Sequence, residues 1–204
     1  MHFTLQQIDT KNSNVISELN HNDECHYLGD YVSGEWHHPM TSFILDFKSK
    51  SDHFRYANKG RAIQQLARVL SGINLEDFTI VPVPPSKAKN DPLYDDRLVR
   101  TLKAVESIKG CALDVRELVT QNQSYEASHD SARLRKNRPT SWDLMSRYRM
   151  ADIPADELKD TIIIFDDVIT KGSHFKAIQR LLSEKYPDKN IIGLFIAQTY
   201  FHNR

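Results

Sequence analysis

Two adjacent carboxylates, Asp166 and Asp167, close the apolar run Ile162–Ile163–Ile164–Phe165 and open a short polar turn, Val168–Ile169–Thr170–Lys171–Gly172–Ser173. The run suits a strand buried on both faces. Beyond the turn, Phe175, Ile178, Leu181 and Leu182 recur at three- and four-residue spacing, which is one face of a helix. The acids and the turn therefore stand at the carboxyl end of a strand, just before a helix amino terminus, where open α/β sheets take ligands. The unpaired N–H groups and dipole of the helix start favour a phosphate, with Gly172 letting the backbone come close. The acids can hold hydroxyls or, through phosphate oxygens, a magnesium ion. The plain alternative is a strand–turn–helix whose acidic turn is merely solvated.

Other residues carry chemistry more weakly. Pro84–Pro85–Ser86–Lys87–Ala88–Lys89 follows the apolar run Phe78–Val83, and offers backbone N–H groups and two lysines. Gln121–Thr140 is polar and rich in charge, with no apolar face; a stretch this long is a functional loop or a disordered one. It holds His129, Arg133, Arg135, Lys136 and Arg138. The basic run is also compatible with a solvated face or a weak nucleic-acid patch, and His129 with an acid–base group or an ordinary surface histidine. His21, Cys25, His26, His37 and His38 are zinc-ligand types, but their spacing fits no standard arrangement, so surface histidines are the expectation. No Ser–His or Cys–His nucleophile signature is present.

The elements that must position these groups alternate. Tyr27, Leu28, Tyr31, Val32 and Trp36 suit a short strand or hairpin with Gly34 in its turn. Ser42–Phe47 stands at the head of the alternation. Arg61–Leu70 is an amphipathic helix ending at Ser71–Gly72. Phe78–Val83 reads as a buried strand stopped by prolines, and a helix over about 95–108 follows, with Gly110 as its stop. Leu113–Val119 gives another strand. Trp142–Met150 reads as a short helix with Trp142, Leu144 and Met145 turned inward, and Asn190–Phe201 supplies the last strand. Strand, helix, strand, helix, strand, loop, strand, helix, strand predicts an α/β fold: a mostly parallel twisted sheet with helices on both faces. Residues 1–40 would form a small N-terminal cap on a core domain spanning 41–204.

Composition narrows the class. The 204 residues suit one domain with a small appendage, and 40% hydrophobic content supports a core. The 27 basic residues balance 27 acidic ones, so no global field points to nucleic acid or an anionic membrane. Two cysteines, Cys25 and Cys111, fit a reducing cytosol better than a disulfide framework. With no apparent signal peptide or membrane-length apolar run, the expectation is a soluble cytoplasmic protein.

The stretch FDDVITKGSHF resembles the ribose-phosphate signature of type I phosphoribosyltransferases. That resemblance implies that Asp166 and Asp167 hold the hydroxyls of phosphoribosyl pyrophosphate (PRPP), and that Val168, Ile169, Thr170, Lys171, Gly172, Ser173 and His174 form the 5′-phosphate loop. Lys171 and His174 stand where threonine is common in the family. VPVPPSK is similar to the pyrophosphate-loop stretch of ComF-like and amidophosphoribosyltransferase-like members, which casts Pro85, Ser86, Lys87 and Lys89 as pyrophosphate binders. Ser124–Arg138 then matches their flexible loop, with Arg133, Arg135, Lys136 and Arg138 reaching the pyrophosphate. ILDFKSKSDHFRYANKGRAIQQLARVL is similar to the start of the ComF-like core, so the likeness covers roughly residues 40–200; the zinc-ribbon cysteines usual before that core are absent.

The resemblance implies glycosyl transfer at ribose C1, with Mg2+ arriving with PRPP and assisting pyrophosphate release. The acids would place the sugar and help its developing positive charge. Partners would be PRPP and an unidentified acceptor, with a homodimer and single-stranded nucleic acid as further candidates and no membrane. Two other functions fit: a non-catalytic PRPP- or nucleotide-binding regulatory module, and a ComF-like accessory protein of DNA uptake or defence. Both acids are expected at a solvent-accessible strand end, so the fold should survive Asp167→Asn.

Overall fold

The computed structural model describes residues 3–10, 16–50, 54–124 and 139–200. In chain order the described elements are β1 (Gln6–Gln7), β2 (Cys25–Tyr27), β3 (Asp30–Val32), α1 (Pro39–Phe47), α2 (Tyr56–Leu70), β4 (Thr79–Pro82) and α3 (Arg97–Lys109). There follow β5 (Asp114–Val115), β6 (Val119–Gln121), α4 (Ser141–Met145), β7 (Tyr148–Met150), β8 (Thr161–Ile169), α5 (Ser173–Lys185) and β9 (Asn190–Tyr200). No helix among the described residues is long and apolar enough to cross a membrane.

The chain is α/β, with a mostly parallel mixed sheet ordered β1–β2–β9–β8–β4–β5, in which β3 also lies on β9. Only β1 runs antiparallel to its neighbour. β8 and β9 are the apolar runs of the sequence, and they sit centrally because both of their faces must be covered. The helices pack in two groups, α1 and α3 each against α2, and α4 against α5. From β4 the chain passes through α3 to β5 on one side, whereas β8 passes through α5 to β9 on the other. Right-handed crossovers place α3 and α5 on opposite faces, so a crevice opens at the carboxyl ends of β4 and β8. β6 and β7 form a separate antiparallel ribbon.

Several expectations change in the folded chain. Ser42–Phe47, which headed the alternation, is helix: Pro39 starts α1, and Met40, Phe43, Ile44 and Phe47 are buried at helical spacing. Residues 25–32 make no hairpin; β2 and β3 lie in line along β9, bridged by the Gln198 N–H donating to the Gly29 carbonyl. Gly34 does sit in a turn, with φ +89°. Leu113–Val119 divides between β5 in the main sheet and β6 in the ribbon. Trp142 is 67% exposed and lies against the Arg180 guanidinium, 4.4 Å from its ring centroid, while Leu144 is buried. Gly110 ends α3 in the left-handed conformation that glycine adopts without steric cost.

One continuous core unites the elements and includes Ile8, Ile16, Cys25 and Leu28 from the first forty residues. One close crossing is at Gly193, where a Cβ would stand 2.7 Å from a Phe195 ring carbon, 2.9 Å from the Cys25 sulfur and 3.1 Å from Phe175. Gly193→Ala is therefore expected to destabilise the fold by about 1–3 kcal/mol, the cost of overpacking a core. An unchanged urea midpoint would show that the β2–β9 crossing is looser than its geometry.

Candidate functional site

β8 carries Asp166 to Ile169 within the sheet, with Val168 opposite Ala197 and Ile169 opposite Gln198. Thr170 and Lys171 then lead to Gly172, whose φ of +85° turns the chain into α5. Two clefts flank this strand end. Thr170, Lys171, Gly172, Ser173 and His174 line one of them with Val168 and Ile169. The other lies beneath the turn after β4 and includes Pro85, Lys87, Lys89, Arg97 and Gln121. Asp166 is on the wall of both.

The two acids occupy different environments. Asp167 is only 4% exposed, contrary to the solvent-accessible placement expected from sequence. One of its oxygens accepts from Lys48 Nζ at 2.9 Å, and the other accepts from Arg97 Nη2, and from Nε at 3.2 Å. Burial opposes its charge, but Lys48 and Arg97 outweigh that and hold its carboxyl below the usual carboxylate range. Arg97 also pairs with Asp95 at 2.6 Å, and Asp95 with buried Lys59 at 2.8 Å. Asp166 is half-buried and accepts the Asp167 backbone N–H at 2.7 Å. Burial, and then the Asp167 charge, push its carboxyl well above the usual range.

The turn into α5 is an anion-friendly helix start that already faces a carboxylate. The Ser173 hydroxyl donates to Glu18 at 2.7 Å, and the Ser141 N–H also points at Glu18 at 3.3 Å. Burial opposes Glu18 ionisation, yet the Ser141 and Ser173 hydrogen bonds outweigh it and keep the carboxyl low. Gly172 serves the N-terminal segment as well as the turn: a Cβ there would lie 3.2 Å from Leu19 and 3.3 Å from Ile16. Lys171 is exposed. The His174 Nδ1 lies 2.6 Å from the Tyr148 hydroxyl. Burial lowers the His174 pKa to about 4, so the ring is neutral near pH 7. If the phenol donates to Nδ1, Nε2 carries the remaining ring proton and is a hydrogen-bond donor; in the other tautomer Nδ1–H donates to the phenol oxygen.

The turn after β4 departs from the reading of free lysines. Lys89 pairs with Glu117 at 2.9 Å, and Lys87 is 3.8 Å from Asp91. Ser124, where the polar stretch begins, accepts the Ala88 N–H at 3.1 Å and donates to Asp91 at 2.6 Å. Pro139, at the stretch's other end, lines the α5 cleft. His129, Arg133, Arg135, Lys136 and Arg138 lie outside the described residues. Gln121 is buried in the wall of the β4 cleft, and among the described residues neither atom of its amide has a hydrogen-bond partner. Each such group costs about 1–3 kcal/mol if left unpaired.

Sequence reasoning missed Lys48, Arg97, Asp95, Glu18, Gln121 and Tyr148. Only Arg97 and Asp95 left a local signal, as a cation beside acids at a helix start; the others are brought in by residues far away in the chain. Among the described residues no three His, Cys, Asp or Glu side chains converge as a metal site. Cys25 is fully buried, and desolvation pushes its thiol far up. Asp166 has no cation bonded to it among the described residues and borders both clefts, so its carboxylate is the one that could face a cation from either side. No protein-family model matches the chain, and no curated protein does either.

Because Asp167 neutralises two cations from inside the fold, Asp167→Asn is expected to lower stability by about 3 kcal/mol or more, the scale of breaking a buried pair. Urea denaturation reads this directly; a shift under ~0.5 kcal/mol would mean that the clamp is solvent-screened. His174 gives a second expectation. Its folded pKa of about 4 lies below the ordinary 6.5, so the unfolded chain takes up the proton first as pH falls. The His174 contribution to stability should therefore decline between about pH 6.5 and pH 4, against an opposite contribution from Asp166, whose pKa is raised. His174→Asn should flatten that decline, and an unaltered slope would show that His174 is hydrated.

Proposed function

We propose that the protein binds PRPP across the end of β8 and transfers its phosphoribosyl group to an acceptor. The observation that carries this reading is the placement of Asp166. It borders both the cleft at the α5 start and the cleft under the β4 turn, so a ligand lying across it reaches both. The 5′-phosphate would lie against the Thr170–His174 turn, where it meets the α5 N–H groups, the Lys171 charge and the Nε2 proton of His174. The ribose hydroxyls would donate to Asp166, whose charge favours positive charge developing on the sugar.

In this reading Asp167 does not hold the sugar. It positions Lys48 and Arg97 beside Asp166, where they oppose the charge of a departing pyrophosphate. Mg2+ would enter as part of the substrate, bound through phosphate oxygens. Positioning and electrostatics suffice for such a transfer, and no protein nucleophile is needed.

A second reading, a non-catalytic PRPP or nucleotide sensor, is favoured by two contacts. Asp167 is sealed by its cations, and the Ser173 hydroxyl is engaged by Glu18. Binding that persists without pyrophosphate release across a panel of bases and amines would select it. A nucleic-acid accessory role rested on the 133–138 basic run, which lies outside the described residues.

Calorimetric titration with PRPP is the test. Binding is expected to strengthen with magnesium and to weaken at least ~10-fold in Asp166→Asn, the equivalent of one charged hydrogen bond. Because the Asp166 pKa is raised and the ligand needs its ionised form, affinity should rise with pH through that pKa. A folded protein that takes up no PRPP at any pH would overturn the reading.

A further inference from the structure

We infer that Tyr148 is a positioning residue for the 170–174 turn. Its phenol donates to His174 Nδ1, which leaves the ring proton on Nε2 as a fixed, uncharged donor for a phosphate-monoester oxygen in the α5 cleft. As a statement about the ligand, this rests on the reading that a sugar phosphate occupies that cleft. As a statement about the ring, it stands on the geometry and chemistry of the pair.

The pair joins two elements that are remote in sequence. Tyr148 is buried and opens β7, in the antiparallel ribbon beside the main sheet. His174 is the second residue of α5 and lines the cleft with Thr170 and Gly172. The hydroxyl and Nδ1 are 2.6 Å apart, so one proton lies between them. Distance alone allows either atom to own it; acidity decides. A phenol gives up its proton at a pKa of about 10, ahead of a neutral imidazole N–H. An unprotonated imidazole nitrogen takes a proton at about 6.5, far more readily than a phenol oxygen does. The stronger acid therefore donates to the stronger base, from the phenol to Nδ1.

The surroundings keep the ring neutral. Burial opposes its charge most, Asp167 favours it and Lys48 opposes it. A neutral ring has one N–H, and with Nδ1 taken that N–H is at Nε2. Among the described residues Nε2 makes no hydrogen bond, and His174 is half-buried on the cleft wall. The Ser173 hydroxyl proton goes to Glu18, so His174 supplies a side-chain donor that Ser173 does not. Without the Tyr148 hydroxyl, a neutral imidazole divides between its two tautomers, and part of that donor is lost. A donor set in advance costs less to order when a ligand binds.

Nitrogen-15 NMR of the His174 imidazole in the unaltered full chain near pH 7 tests the ring first. Nδ1 is expected to resonate as an unprotonated nitrogen and Nε2 as a protonated one; the reverse would overturn the inference. This measurement uses unaltered protein, so it decides even if a variant misfolds. Tyr148→Phe keeps the packed ring, removes only the hydroxyl, and should give both imidazole nitrogens averaged, part-protonated signals. Calorimetry with ribose 5-phosphate tests the consequence for binding. Tyr148→Phe should weaken it ~3-fold, about the ordering cost of one side chain. His174→Phe should weaken it ~10-fold, the ratio for one hydrogen bond left unmade. On the His174→Phe background, Tyr148→Phe should cost nothing further; an equal loss on both backgrounds would show that Tyr148 acts only through the fold, and would overturn the inference. The expected tautomer in a chain that takes up no ribose 5-phosphate would strike the phosphoribosyl reading and leave the ring assignment standing. Binding with Nδ1 protonated would do the opposite.

Discussion

Asp167 is the point on which three parts of the chain converge. It lies in the last third of β8, and its two oxygens take Lys48, just beyond α1, and Arg97, the first residue of α3. A carboxylate in that position is costly in isolation, and so are the two cations that would be left without it. Together they satisfy one another, and Arg97 extends the network through Asp95 to Lys59 on α2. The helices on one side of the sheet are thus keyed to the strand that carries the site. The crevice between β4 and β8 owes its shape to this arrangement as much as to the sheet.

The adjacent acids show how environment assigns roles. Asp167 is stabilised as an anion by cations in contact, and its charge then works against Asp166, which has fewer compensating partners and also loses solvation. One carboxylate is fixed in place, and its neighbour is left with a raised pKa on the wall of two clefts. Raised carboxyl pKa values in clefts are a recurring feature of functional sites, and structural ion-pair networks produce them too. Here one falls on the acid that a ligand can reach.

The N-terminal segment is part of the same construction. Glu18 bridges the starts of α4 and α5, while Ile16 and Leu19 pack on Gly172. On the other face of the turn Tyr148 orients His174. The 170–174 turn is therefore supported from two sides by chain that is remote in sequence.

The α/β class, the central strands β4, β8 and β9, and the strand–turn–helix at 161–185 were determined by sequence alone, because apolar runs, helical periodicity and glycine punctuation are local signals. α1 was misplaced because Ser42–Phe47 is short, and its buried apolar positions repeat helically only when Met40 is counted with them. Local sequence also put Asp166 and Asp167 together at the strand end, but could not separate them. That separation depends on Lys48, 119 positions away, and on Arg97, 70 away. The Glu18 contact to Ser173, the Tyr148–His174 pair and the unpaired amide of Gln121 likewise exist only after distant strands and helices meet. Burial and pairing decide the charge of each group, and both are properties of the folded chain.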